Sequence, residues 1–77
     1  MTNEEKNLKI KELATILKPK HSDIKINIDE ADNKGNIAIS FYWNRISQQN
    51  WKDAKTFRCH ISEYKNILKN NIIPYFE

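Results

Sequence analysis

The longest periodic stretch of the chain runs from Ser47 to about Asn70. Trp51, Ala54, Phe57, Ile61, Tyr64 and Leu68 recur there at spacings of three and four, which places them on one stripe of a 3.6-residue helix. Ser47 suits the N-cap, where its hydroxyl would accept a hydrogen bond from a free N–H of the first turn. Lys55, Arg58, Ser62, Lys65 and Lys69 keep the same rhythm on an adjacent stripe. The pattern predicts an amphipathic helix with an aromatic-rich buried face and a basic stripe beside it.

A second helix is expected near the start. Thr2-x-x-Glu5 fits a capping box, in which each side chain satisfies the other's free backbone N–H. Ile10, Leu13, Ala14 and Leu17 form a narrow apolar stripe, with Leu8 on the far side. Pro19 disfavours helical geometry at Lys18, so the helix should stop at about Leu17.

The period then changes to two. Ile24, Ile26 and Ile28 alternate with Lys25 and Asn27, and Ile37, Ile39, Phe41 and Trp43 alternate with Ala38, Ser40 and Tyr42. Both read as half-buried strands. The polar segment between them holds the chain's one glycine, Gly35, expected at positive φ in a hairpin loop.

The resulting fold class is α+β, a small two-layer domain of order α-β-β-α. A lone hairpin is marginal in water, so both helices should pack on its apolar face. The opposite face, with Lys25, Asn27, Ser40, Tyr42 and Asn44, would stay open, as would the strand edges. The apolar C-terminus, Ile72-Ile73-Pro74-Tyr75-Phe76, follows an Asn70-Asn71 helix stop. It could form a short third edge strand, dock on the core, or exchange with a second copy; Pro74 confines it to an edge. The element order is similar to that of double-stranded-RNA-binding domains, which run helix, three strands, helix. It reads one strand short, with no basic cluster opening the last helix, and the family is not assigned.

Seventy-seven residues make one domain, 1–77. The single cysteine, Cys59, leaves no intrachain disulfide and favours a reducing, cytoplasmic setting. The polar N-terminus lacks the apolar core of a signal peptide. The longest apolar-leaning run, Ile37 to Trp43, is too short to cross a bilayer. A membrane partner is therefore not expected.

The net charge of +3 is modest and unevenly spread. Seven acids balance seven lysines before Gly35, whereas three acids face six bases after it. This hints at an anionic partner for the C-terminal half. Abundant Lys, Asn and Ile with scarce Gly and Pro suit an AT-rich genome, such as a low-GC bacterium, its phage or a mobile element.

Catalytic chemistry finds little support. Cys59 and His60 would point about 100° apart on a helix and cannot share a metal ion. His21-Ser22-Asp23 are adjacent and cannot form triad geometry. One glycine cannot build a phosphate loop. The chain is expected to be non-enzymatic, with no metal site and no cofactor.

Aromatic residues are plentiful, and exposed Tyr, Trp and Arg commonly anchor interfaces. The reading is a protein-binding module with Tyr42, Arg45, Tyr75 and Phe76 as candidate anchors, whereas Trp43, Trp51, Phe41, Phe57 and Tyr64 read as core. Its size and composition resemble those of small phage or mobile-element accessory proteins that inhibit or regulate a larger host complex, anti-CRISPR proteins among them. The alternative is a nucleic-acid-binding protein using Lys52, Lys55, Arg58, Lys65 and Lys69, with Lys25 on the sheet face. A homodimer closed by the C-terminal tail is a third expectation.

Overall fold

A computed structural model describes residues 1–77. Helix α1 (Asn3–Leu17) precedes three strands, β1 (Lys25–Glu30), β2 (Asn36–Ser47) and β3 (Asn50–His60). They form one antiparallel sheet in the order β1-β2-β3. The chain then runs helically to its end. A 3-10 turn (Ile61–Glu63) leads into α2 (Tyr64–Ile67), a π-helical segment (Leu68–Ile72) and α3 (Ile73–Phe76). The α+β class and the packing of both helical layers on one sheet face are as the sequence predicts.

Thr2 caps α1, its hydroxyl accepting from the Glu5 N–H at 3.1 Å. Leu13 and Leu17 are buried, while Leu8 is exposed. The helix ends at Leu17, before Pro19. Gly35 has φ +94°. A Cβ there would stand 2.6 Å from His60 Nε2. That ring is fixed in place: Nε2–H donates to Lys34 O at 2.9 Å, while Nδ1 accepts from the Ser62 N–H at 3.2 Å. Gly35 is thus required by both its backbone and its neighbour.

The helix expected over 47–70 is corrected. Its first part, Asn50–His60, is strand β3, and the helical segment begins only at Ile61. The hairpin turn between β2 and β3 is Gln48-Gln49, and neither residue has positive φ. It therefore lacks the glycine or Asn-Gly signature that marks primed two-residue hairpins. A register shift between Arg45 and Ser47, and Asn44 at φ 57°, accommodate the mismatch beside it.

The expected stop at Asn70-Asn71 is corrected, and of the three expectations for the tail the edge strand is not formed while docking on the core is. The helical segment continues through both asparagines as a π turn. Tyr64, Leu68, Ile72 and Phe76 are all buried and recur every four residues. On a regular α-helix such a stripe would drift by about 40° per step. The wider π turn takes up the drift, and it lets Pro74 follow without its ring striking the Asn70 carbonyl.

The core joins these four residues to Leu13 and Leu17 of α1 and to Ile24, Ile28, Ile37, Ile39 and Phe41 of the sheet side. Phe76 lies edge-on to Phe41 and Trp43, with ring centroids 5.1 and 5.0 Å away. The tail therefore covers this chain's own apolar sheet face. With β3 in place the order is helix, three strands, helix. The C-terminal helical segment still opens on Ile61-Ser62-Glu63, without a basic cluster.

Candidate functional site on the open sheet face

The alternation that buries Ile37, Ile39 and Phe41 sends their neighbours to the other side of the sheet. Register assembles that side into three rows. Asp29, Ala38 and Arg58 form one; Asn27, Ser40 and Thr56 the next; Lys25, Tyr42 and Ala54 the third. The middle row is small and polar, with the Ser40 and Thr56 hydroxyls 3.2 Å apart. No helix covers this face.

Beyond the third row β2 kinks at Asn44. Trp51 then comes beside Tyr42, ring centroids 5.9 Å apart and tilted by 49°. Lys25 Nζ and Arg45 Cζ lie over the indole ring, 5.3 and 5.5 Å from its centroid. Lys25, Asn27, Tyr42, Gln49 and Trp51 line a cleft of about 410 Å³. Trp51 Nε1 is buried and has no hydrogen-bond partner. A buried, unpaired donor of this kind costs about 1–3 kcal/mol.

Arg45 is held rigidly. Its Nε donates to Ser47 O at 2.9 Å and its Nη2 to Gln48 O at 2.7 Å, which ties the guanidinium to the hairpin turn. Its backbone N–H donates to Asp23 Oδ2 at 2.7 Å. That hydrogen bond holds the Asp23 carboxyl below the usual range. Ile46, in the same hairpin, is 70% exposed.

The structure thus joins residues that the sequence assigned to different surfaces. Tyr42 and Arg45 were expected to contact a protein and Lys25 a nucleic acid, and all three surround one cleft. Trp51, expected in a helical core, is its central member; the signal that would have found it is the β2–β3 hairpin, which carries no turn motif. Asp23 and Gln49 were also missed: Asp23 reaches Arg45 only by continuing the β1–β2 register past Lys25, and Gln49 sits in the β2–β3 turn that carries no motif.

The basic stripe is corrected. Lys52, Lys55 and Arg58 lie on β3, whereas Lys65 lies on α2 and Lys69 on the π turn, so the five do not share one helix face. Arg58 belongs to the open face. Lys55 instead sits over the Phe57 and Tyr75 rings, 5.6 and 5.5 Å from their centroids. Phe76 is corrected as a partner anchor, since it is a core residue at 6% exposure. Tyr75 is half exposed and packs edge-on against Phe57 and Trp43.

Two other places hold titratable groups. A recess of about 440 Å³ near the β1–β2 loop includes Met1, Glu5, Glu30 and Asp32. Its carboxylates are largely engaged. The Met1 amine pairs with Glu30 and holds it below the usual range. The Asn36 side chain and the Lys34 N–H do the same for Asp32. Burial, helped by Glu63, pushes the Cys59 thiol up, which disfavours the reactive thiolate. Burial and its hydrogen bond to Glu12 push the Tyr64 hydroxyl up as well. No group of three His, Cys, Asp or Glu residues is placed to hold a metal ion. No helix is long and apolar enough to cross a membrane.

Among known proteins, no family model matches the chain, and no curated protein or solved structure is significantly similar to it.

Proposed function

We propose that the chain is a non-enzymatic binding module that docks on a larger protein through the open face of its sheet. The observation that carries this reading is the Trp51–Tyr42–Arg45–Lys25 cluster, which stands on a sheet face that no helix covers. Trp, Tyr and Arg dominate the energetics of protein interfaces. Arg45 is already ordered by its two carbonyl contacts, so binding would lose little of its side-chain entropy. Ile46 adds exposed apolar surface in the same hairpin. Acting by occupying a surface of a larger complex fits a chain with no assembled catalytic group.

Charge-matched variants test the reading. Lys25→Glu with Arg58→Glu changes the open face, and Lys11→Glu with Lys65→Glu makes the same charge change on the helical side. Used as baits in lysate of the encoding organism, the first pair should lose the partner protein that the parent chain captures. The second pair should keep it. Retention by both, or loss by the helical pair alone, contradicts the proposal.

A second reading, single-stranded nucleic acid, is favoured by one observation: the open face carries two aromatic rings beside cations rather than the single Tyr42. Binding of oligothymidylate across a salt series tests it. Log K falling with log salt by about 0.7 per phosphate contact would support it, and no binding at low salt removes it.

A further inference from the structure

Building on the sheet-face reading, we infer that the cleft between Tyr42 and Trp51 receives a carboxylate side chain from an acidic segment of the partner protein. Three observations converge there. Trp51 Nε1–H is a buried donor with no acceptor. Lys25 and Arg45 lie over the same indole ring, and neither forms an ion pair; the molecule's one ion pair joins the Met1 amine to Glu30. Asp29, the only acid in the three rows of the open face, is turned to Asn27 Nδ2 at 2.8 Å and stands two rows from Lys25, and Asp23, beyond the rows, is engaged by the Arg45 backbone N–H at 2.7 Å. The cleft therefore offers donors and positive charge, and its lining, which includes the amide side chains of Asn27 and Gln49 and the Tyr42 hydroxyl, holds no carboxylate.

A carboxylate supplies what is missing. One oxygen would take the Trp51 Nε1–H and the other the Lys25 ammonium, with Arg45 adding charge from a fixed position. Charged hydrogen bonds of this kind are the strong ones. The Lys25 and Gln49 side chains line the cleft. Both are long and exposed, and a carboxylate reaching the buried indole N–H needs such side chains to give way.

The geometry favours an acidic protein segment over a nucleic acid. Two cations already lie over the indole ring, so a base would have to displace them to stack on it. Two of the remaining cations are not placed behind the cleft, where a phosphate backbone would need them. Arg58 is two rows away, and Lys55 sits over Phe57 and Tyr75.

The test follows the indole N–H resonances of Trp51 and Trp43 by nuclear magnetic resonance in the full chain. The probe is acetylated hexaglutamate, with oligothymidylate of equal charge as comparison. Hexaglutamate should move the Trp51 Nε1–H signal downfield and leave that of Trp43 in place. Affinity, followed through the Tyr42 amide, should fall about tenfold in Trp51→Phe, which keeps an aromatic ring and removes the donor. Lys25→Gln should weaken binding similarly. Trp51→Phe removes an unpaired buried donor but also part of a ring packed by Tyr42, Lys25 and Arg45, so its melting temperature is measured alongside, and the exposed Lys25→Gln separates lost binding from lost folding.

An unmoved Trp51 signal overturns the inference, as does a response to oligothymidylate alone or equal affinity in Trp51→Phe. If hexaglutamate fails while the Lys25→Glu/Arg58→Glu bait still loses its partner, the carboxylate falls and the sheet-face reading stands. If both fail, the face itself is wrong.

Discussion

Individual residues carry more than one task in a chain this short. Asp23 opens the path into β1 and also takes the backbone N–H of Arg45, which helps to place the guanidinium over Trp51. His60 ends β3, caps the turn that follows and closes over Gly35. This last arrangement gives a direct prediction. Gly35→Ala must adopt φ near +94° and push a Cβ against a ring held by two hydrogen bonds. The substitution should destabilise the fold by more than about 1 kcal/mol, read as a lower midpoint in urea unfolding. An unchanged midpoint would mean that the loop rearranges freely. The positive φ at Gly35 was legible because a lone glycine after Asp, Asn and Lys has few other uses. The positive φ at Asn44 was not, since an asparagine inside an apparently regular strand gives no such signal.

At the scale of elements, the legible parts were those where local pattern and tertiary packing agree. Thr2, the Leu13–Leu17 stripe and Pro19 fix α1, and the Ile24–Ile28 and Ile37–Trp43 alternations fix β1 and β2. Residues 50–60 failed the test because two periods compete there. Trp51, Ala54, Phe57 and Ile61 fit a helical stripe, while Phe57 and Cys59 lie opposite Ile39 and Ile37 in a strand register. Pairing with the long β2 decides in favour of the strand, since tertiary context overrides a helical spacing that no local signal enforces. The candidate site was only half legible for the same reason. Tyr42, Arg45 and Lys25 could be named from sequence, but their common neighbour Trp51 had been placed in a helix.

The C-terminal segment was only partly legible: docking on the core was one of three expectations, and Pro74 hid its helical form, which a π turn makes possible. Phe76 then fills the core between Phe41 and Trp43. Phe76→Ala should cost about 3–5 kcal/mol, measured by thermal unfolding, with no change in mass in solution. A stable variant of altered mass would instead return the tail to the role of a dimer contact.

For the whole molecule, the division of labour between the two sheet faces is the main result. One face is closed by α1 and the C-terminal helical segment and contains the apolar core. The other pairs a strip of small side chains with an aromatic and cationic cluster at one end. The net charge of +3 is therefore unevenly displayed, with Lys25, Arg45 and Arg58 on the open side against two acids, Asp29 and the Asp23 carboxylate that takes the Arg45 N–H. Uneven display of this kind steers encounter with an acidic surface more than it adds affinity.

If the open face is the contact surface, a probe on it must meet the partner and one on the helical side must not. The most direct measurement is site-specific photocrosslinking, with benzoylphenylalanine placed at Thr56 on the open face or at Lys11 on the outer side of α1, in lysate of the encoding organism. The account predicts a discrete protein crosslink from Thr56 and none from Lys11. Crosslinks from Lys11 alone, or a Thr56 adduct that nuclease removes, would contradict it.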